Sequence, residues 1–149
     1  NMFLVKTYGF WNKHNTKLCP NIVKLFKPLK NVTSISISFL SPGKHIPPHN
    51  GPYKGILRYQ LAISVPKKGN CQLFVDNKPY SWIEGKGVTF DDTYVHEVRN
   101  ETKETRVAVL LDIKRYDFPF LLRVYDFIFY KIIQLLVILN RTMSKSAVK

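Results

Sequence analysis

Residues 33–40 read Thr-Ser-Ile-Ser-Ile-Ser-Phe-Leu and alternate strictly between polar and apolar side chains. Successive side chains of a β-strand point to opposite faces, so the pattern predicts a strand with one serine face and one apolar face. The apolar face, with Ile35, Ile37 and Phe39, would pack into a core. The serine face, which includes Ser38, could line a polar cavity.

The same alternation recurs in two later segments. Residues 56–65 place Arg58 and Gln60 on one face, and residues 105–113 place Arg106 opposite a run of valines and leucines. Shorter strands bounded by turn residues are expected at 71–75, 79–83, 88–90 and around His96. About seven strands at this spacing, without alternating helices, predict an all-β sandwich or barrel.

The composition changes after Ile113. Residues 118–139 are almost entirely apolar, and Arg123, Asp126 and Gln134 fall at helical spacing, which leaves one narrow polar stripe on a broadly apolar helix. Because three charged residues, Arg123, Asp126 and Lys131, interrupt it, the helix is not a clean membrane span. It could lie in a membrane interface, or it could pack on the barrel or on a partner subunit.

The 149 residues suffice for one domain. We expect an incomplete N-terminal part at 1–32, a catalytic core at 33–115, and an apolar helix with a basic tail at 116–149. Two distant cysteines and no signal sequence at the first residues favour a cytoplasmic setting, and the apolar helix favours association with a membrane. The net charge of +13 is spread widely and no nucleic-acid motif accompanies it, so nucleic-acid binding is not expected. The oligomeric state is left open.

Two histidines are candidate metal ligands: His49 in Pro-Pro-His-Asn-Gly-Pro and His96 in Phe-Asp-Asp-Thr-Tyr-Val-His-Glu. Neutral imidazoles suit iron(II), zinc and copper, and non-haem iron oxygenases use two of them with a carboxylate. The usual place for that carboxylate is two residues after the first histidine, where this chain has Gly51. Taken alone, the pair is more typical of structural histidines.

Five motifs occur in one order along the chain and together resemble the aspartyl/asparaginyl β-hydroxylase family. They are Ser-Phe-Leu-Ser-Pro-Gly-Lys-His-Ile-Pro-Pro-His-Asn-Gly-Pro at 38–52, Leu-Arg-Tyr-Gln-Leu at 57–61, Trp-Ile-Glu-Gly-Lys at 82–86, Phe-Asp-Asp-Thr-Tyr-Val-His-Glu-Val at 90–98 and Thr-Arg-Val-Ala-Val-Leu-Leu-Asp at 105–112. The resemblance implies a mainly β, double-stranded β-helix fold of the jelly-roll or cupin-like kind, followed by the apolar C-terminal helix. It also implies an oxygenase that uses Fe(II), 2-oxoglutarate and O2.

Members of that family can hold iron with two histidines and no carboxylate, which Gly51 matches. The resemblance therefore makes His49 and His96 the metal ligands. Asp91 or Asp92 could hydrogen-bond a metal-bound water and partly replace the missing charge. The alternative for these two aspartates is ordinary turn chemistry.

The resemblance also assigns the cosubstrate site. Arg106 would pair with the distal carboxylate of 2-oxoglutarate, a task that suits a planar guanidinium. Ser38 would assist Arg106, and Arg58 would hold the other end of the cosubstrate. Gln60 stands where the family often has a histidine, and a glutamine cannot titrate near neutral pH.

The substrate expected from the resemblance is a lipid. The branch that hydroxylates aspartate or asparagine in folded domains has an additional arginine where this chain has Ile56. Residues 73–86 and the apolar helix instead resemble the bacterial lipid A 2-hydroxylase branch. We therefore expect hydroxylation of an unactivated C–H bond on a lipid acyl chain, at a membrane surface contacted through residues 118–139. The alternatives are a peptidyl aspartyl/asparaginyl β-hydroxylase and a non-catalytic β-barrel binding protein.

Overall fold

The computed structural model describes residues 1–146, the last six of them by backbone only. Ten strands and three helices occur in this part of the chain. In chain order they are β1 (Met2–Thr7), β2 (Phe10–Trp11), α1 (Asn15–Leu18), α2 (Pro20–Phe26), β3 (Val32–Leu40), β4 (His45–His49), β5 (Ile56–Ser64), β6 (Cys71–Val75), β7 (Lys78–Ser81), β8 (Gly87–Phe90), β9 (His96–Asn100), β10 (Arg106–Lys114) and α3 (Phe120–Ser146).

The strands form two antiparallel sheets. The larger has the order β2-β1-β3-β10-β5-β8 and the smaller has the order β4-β9-β6-β7. A buried apolar cluster joins them, with members from both sheets: Leu40, Ala62, Cys71, Leu73, Trp82, Phe90 and Val98. The predicted mainly β fold is confirmed, and two packed antiparallel sheets are the layout of a jelly roll.

The register of the larger sheet decides which side chains face the smaller one. Residues directly opposite each other on paired antiparallel strands share a face. The pairs on the inner face are Arg106–Leu40, Ala108–Ser38, Leu110–Gln60 and Asp112–Arg58. The alternation of β3, β5 and β10 therefore places several polar side chains in the space between the sheets. They are Ser38, Arg58, Gln60, Arg106 and Asp112.

The outer face of the larger sheet carries a second apolar cluster. Its buried members are Val5, Phe26, Val32, Ile35, Val109 and Leu111. Phe26 comes from α2, so the N-terminal segment covers this face while β1 extends the sheet by pairing with β3. Residues 1–32 thus contribute two strands and two short helices to the same layered unit.

Helix α3 begins at Phe120 and extends beyond the predicted end at residue 139. The side chains that turn toward the domain recur every three or four positions, and many large apolar side chains of the helix are exposed. Within residues 1–146, no helix combines the length and the apolar character that crossing a membrane requires.

Candidate active site

His49 and His96 meet where β4 ends and β9 begins. The two residues are direct cross-strand partners. Their ring centroids are 4.2 Å apart and the rings are tilted by 52°. Antiparallel pairing of β4 with β9 therefore brings together the two histidines that the sequence singled out, although 46 intervening residues separate them along the chain.

Each ring is oriented by the same kind of hydrogen bond. Nδ1 of His49 lies 2.8 Å from the carbonyl oxygen of Pro47, and Nδ1 of His96 lies 2.9 Å from that of Tyr94. A carbonyl only accepts, so each Nδ1 carries the proton and each Nε2 keeps its lone pair. His96 is buried, and burial lowers its pKa, which favours the neutral ring that a metal requires.

The carboxylate of Asp92 occupies the space that a side chain at position 51 would need. A Cβ built on Gly51 would lie 2.5 Å from Oδ1 and 2.7 Å from Oδ2 of Asp92. The Gly51 backbone N–H also donates to the Asp92 carbonyl at 2.6 Å. The chain thus places a carboxylate from the β8–β9 turn beside the position where the usual iron motif carries its own.

Asp92 is only 3% exposed, and it faces an arginine. Its Oδ2 is 3.0 Å from an Nη2 nitrogen of Arg58, whose Nε donates to Asp112 at 2.8 Å. Burial raises the pKa of Asp92 despite this positive partner. Oδ1 of Asp92 has no hydrogen-bond partner among the residues described. One oxygen is therefore fixed by Arg58, and the other is buried without a hydrogen-bond partner among the described residues.

Asp91, the other aspartate named from the sequence, has structural partners. Its Oδ1 accepts from the backbone N–H and the hydroxyl of Thr93, and its Oδ2 pairs with Arg115 at 3.0 Å. Burial acts to raise the pKa of Asp91, but the Thr93 bonds and Arg115 outweigh it and lower the pKa. This is the turn chemistry considered as the alternative, so the structure favours Asp92 for a role beside the histidines.

Arg106 is a buried cation without a carboxylate partner among the described residues. It is 1% exposed, and its Cζ lies 5.0 Å from the centre of the Trp82 ring. Its Nε and Nη1 have no hydrogen-bond partner in the described chain. Burial lowers the pKa of the guanidinium, with Cys71 as its polar neighbour. Because unpaired buried charges are costly, this arrangement points to an anionic ligand.

Ser38 and Gln60 line the same inner face as Arg106. Ser38 lies opposite Ala108, two residues after Arg106 on β10, and Gln60 lies opposite Leu110. Both side chains are buried, and Oε1 of Gln60 is unsatisfied within residues 1–146. Arg58 shares this face but is held between Asp92 and Asp112. The predicted second contact of Arg58 with the cosubstrate stays a prediction.

Three residues that contact the candidate site residues were not predicted from the sequence. Trp82 covers the Arg106 guanidinium, Asp112 holds Arg58, and Arg115 ties the Asp91 turn to the segment before α3. Asp112 and Arg115 lie in or just after the last strand, where polar residues end an otherwise apolar run. That interruption is the one signal that could have indicated them.

The donor set fits an iron ion and a small dicarboxylate. The two imidazole ring centroids are 4.2 Å apart, and a buried guanidinium with two unpaired nitrogen atoms lies on the inner face. No group of three His, Cys, Asp or Glu side chains placed to hold a metal occurs in the described chain. Any metal here would take two protein ligands and keep its other positions for small molecules.

Comparison with known proteins yields a family and several relatives. The model of the aspartyl/asparaginyl beta-hydroxylase family matches residues 1–116, which end before α3. An ornithine lipid ester-linked acyl 2-hydroxylase of Rhizobium tropici is 39% identical over 111 residues, which are 74% of this chain and 40% of that protein. The mouse aspartyl/asparaginyl beta-hydroxylase is 30% identical over 118 residues, which are 76% of this chain and 16% of that protein. The chain thus spans less than half the length of either relative.

Among solved structures, a cupin domain of a transcriptional regulator from Enterobacter cloacae aligns with a TM-score of 0.48 and 18% identity, over 56% of this chain and 82% of that one. This likeness is too weak to add to the sheet topology. The family match rests on the sequence and covers most of the chain, including both histidines and Arg106. The chain belongs to the aspartyl/asparaginyl β-hydroxylase family.

Proposed function

We propose that this protein is an Fe(II)- and 2-oxoglutarate-dependent dioxygenase that hydroxylates an unactivated C–H bond. The observation that supports it most is the buried, incompletely paired Arg106 on the same inner face as Ser38 and Gln60. A guanidinium in that state suits the distal carboxylate of a dicarboxylic acid. The paired histidines supply the matching metal ligands.

The residues divide the work as follows. His49 and His96 would hold iron through Nε2, and the bound iron, with O2 and 2-oxoglutarate, supplies the oxidising power for hydroxylation. Arg106 fixes the orientation of the cosubstrate, and the inner face around it excludes water. Asp92 offers its free Oδ1 as a hydrogen-bond acceptor beside the histidines. The Pro47 and Tyr94 carbonyls hold the two rings through Nδ1, which leaves each Nε2 as the nitrogen that could bind a metal.

We further propose that the substrate is the acyl chain of a membrane lipid, handled at a cytoplasmic membrane surface. The relative at 39% identity is named for an acyl 2-hydroxylase, whereas the mouse relative named for aspartyl/asparaginyl hydroxylation is 30% identical. Ile56 is buried and offers no group to a substrate carboxylate. Lipid A, which carries phosphates, is the first candidate, and a peptide substrate is the alternative.

The proposed chemistry predicts that succinate forms from 2-oxoglutarate in an iron-dependent reaction and that His96→Ala abolishes it. The matched control is His14→Ala, since His14 is exposed and its side chain makes no cap hydrogen bond on α1. Calorimetric titration with Mn(II) would report the metal site without turnover. Succinate formation by His96→Ala at the wild-type rate would refute the metal assignment.

The substrate class needs a separate measurement. Mass spectrometry of lipid and peptide fractions, from cells with and without the active protein, should show one added oxygen on a lipid acyl chain. An added oxygen on aspartyl or asparaginyl peptides, with unchanged lipids, would instead support the peptidyl hydroxylase alternative.

A further inference from the structure

Helix α3 is attached to the domain by a stripe of side chains that is partly polar. The stripe, called here the contact stripe, consists of Asp126, Phe129, Tyr130, Ile133, Gln134 and Val137, which are buried or half-buried. Asp126 accepts a hydrogen bond from the Tyr53 hydroxyl and pairs with Lys114 at 3.2 Å. Gln134 donates to the carbonyl of Tyr8 at 2.9 Å. Asp126 and Gln134 therefore face inward, toward the domain.

Much of the remaining surface of α3 is apolar and exposed. We call it the outer face; its members include Phe120, Leu121, Val124, Phe127, Ile128, Leu135 and Leu136, which are 44–79% exposed. Contiguous apolar surface of this kind on a domain marks a binding surface. Because Asp126 lies on the contact stripe and is paired with Tyr53 and Lys114, the outer face carries no unpaired acid.

A groove runs between α3 and the loop that follows His49. It has a volume of about 320 Å³, in the range of small-molecule sites. Its walls are largely aromatic or aliphatic: Pro52, Tyr53, Phe118, Leu122, Tyr125 and Phe129. The one acid in it, Asp126, is already engaged by Tyr53 and Lys114. The groove thus suits an apolar, flexible ligand rather than a charged one.

The groove begins next to the candidate active site. Pro52 follows Gly51, whose N–H bonds to Asp92 and which lies two residues after His49. The loop is held in place at its far end too, because the Arg115 N–H donates to the Gly55 carbonyl at 3.0 Å. A chain lying in the groove would therefore have one end close to the His49 loop.

The exposed charged side chains in the described part of α3 are basic. Lys54 lines it, and Arg123 and Lys131 are exposed on α3. In residues 118–149 the sequence contains a single acidic residue, Asp126, and that side chain is buried. An anionic lipid headgroup next to the outer face would meet basic side chains without an opposing carboxylate on the helix.

From these observations we propose that the groove binds one acyl chain of an anionic bilayer lipid and directs it toward the His49 loop. The inference rests on the proposed function for the identity of the substrate, and it adds the site and the route of entry. Because the family match ends at residue 116, this site depends on a helix outside the matched region.

The test compares neighbouring leucines on α3 in the full chain. Leu122 lines the groove, and Leu121, on the same helical turn, is 79% exposed and does not. Binding of a dansylated fatty acid, followed by fluorescence, should weaken about tenfold or more in Leu122→Glu, since a carboxylate would be placed against the acyl chain. Leu122→Trp, which fills the groove without adding charge, should weaken it too. Leu121→Glu and Leu121→Trp should bind as the wild type does.

Phosphatidylglycerol vesicles should displace the dansylated fatty acid from the wild-type protein, whereas short soluble alcohols should not. Equal loss of binding in the Leu121 and Leu122 variants, or no loss in either Leu122 variant, would overturn the groove. A wild-type dimer that binds no fatty acid and dissociates in Leu121→Glu would also overturn it, because a second copy would then cover the outer face.

The two proposals fail in different ways. Groove binding that depends on Leu122, without any formation of succinate, would support the acyl site and count against the oxygenase. Hydroxylation of a lipid that is equally fast in the Leu121 and Leu122 variants would support the oxygenase and overturn the groove.

Discussion

Gly51 and Asp92 share one volume, because any Cβ at position 51 would lie within 2.7 Å of three atoms of the Asp92 carboxyl group. Gly51 therefore has a structural role besides lacking the carboxylate of the usual iron motif. It is the residue that lets a carboxylate from another strand connection approach the histidines. Arg58 then fixes one oxygen of that carboxylate through a 3.0 Å ion pair.

This shared volume predicts coupling between the two positions. Gly51→Ala should lower the free energy of unfolding by about 1–3 kcal/mol, as overpacking does in a close-packed site. Asp92→Gly should remove the clash, so the double variant should lose less stability than the sum of the single variants. Denaturant unfolding of the metal-free protein measures all four free energies. Simple additivity would show that the two residues do not compete for space.

Arg106 is the residue whose environment most demands a ligand. With Nε and Nη1 unpaired in the described chain, the guanidinium destabilises the unliganded fold, and a bound dicarboxylate would offset that cost. Arg106→Met should therefore raise the unfolding temperature of the free protein and abolish the rise that 2-oxoglutarate produces in the wild type. Thermal unfolding with and without 2-oxoglutarate measures both effects.

The control for this prediction is Arg99→Met, which alters an exposed arginine paired with Glu97. It should leave the response to 2-oxoglutarate unchanged. If Arg106→Met still gained stability from 2-oxoglutarate to the same extent as the wild type, the cosubstrate would bind elsewhere.

At the scale of elements, the strands were more predictable than the orientation of the helix. The alternation of β3, β5 and β10 located them to within about two residues, because a half-buried strand alternates in its sequence. In β4 the pattern was hidden by Pro47 and Pro48, and β2 has only two residues. Periodicity also showed that Asp126 and Gln134 share a stripe of α3. It could not show that the stripe faces inward, because that depends on Tyr53, Lys114 and Tyr8, distant partners brought close by the fold.

The contacts of Asp126 with Tyr53 and Lys114 predict which substitution detaches α3 from the domain. Asp126→Ala removes the acceptor of the Tyr53 hydroxyl and the partner of Lys114, and losing one member of a buried pair costs about 3 kcal/mol or more. Burial and Asp126 raise the pKa of Tyr53, so its hydroxyl stays a donor at any physiological pH. Amide hydrogen exchange in α3 should accelerate about 100-fold, while β5 and β10 remain protected.

Asp117→Ala is the matched control, since Asp117 is an exposed aspartate paired with Arg115 just before the helix. It should leave exchange in α3 close to that of the wild type. Unchanged exchange in Asp126→Ala would mean that the apolar members of the contact stripe hold the helix by themselves.

Over the whole molecule, a net charge of +13 and the apolar outer face would both favour binding to the membrane surface proposed above. A broad positive field attracts any anionic surface at long range, and salt screens it within about 8–10 Å. The apolar face acts only on contact and is insensitive to salt. The charge alone would not distinguish a bilayer from other anionic surfaces, and the apolar face alone would not distinguish an anionic bilayer from a neutral one.

This division predicts how the protein sediments with vesicles. The wild type should bind phosphatidylglycerol vesicles more tightly than phosphatidylcholine vesicles, and the difference should shrink as salt is raised. Ile128→Glu with Leu135→Glu should reduce binding to both kinds of vesicle at every salt concentration, because the outer face then carries two charges. Ile63→Glu with Ile83→Glu makes the same change in net charge at two exposed isoleucines outside α3, so it should weaken only the salt-sensitive part. Equal effects of the two double variants at high salt would show that charge alone brings the protein to the membrane, and the outer face of α3 would then need another partner.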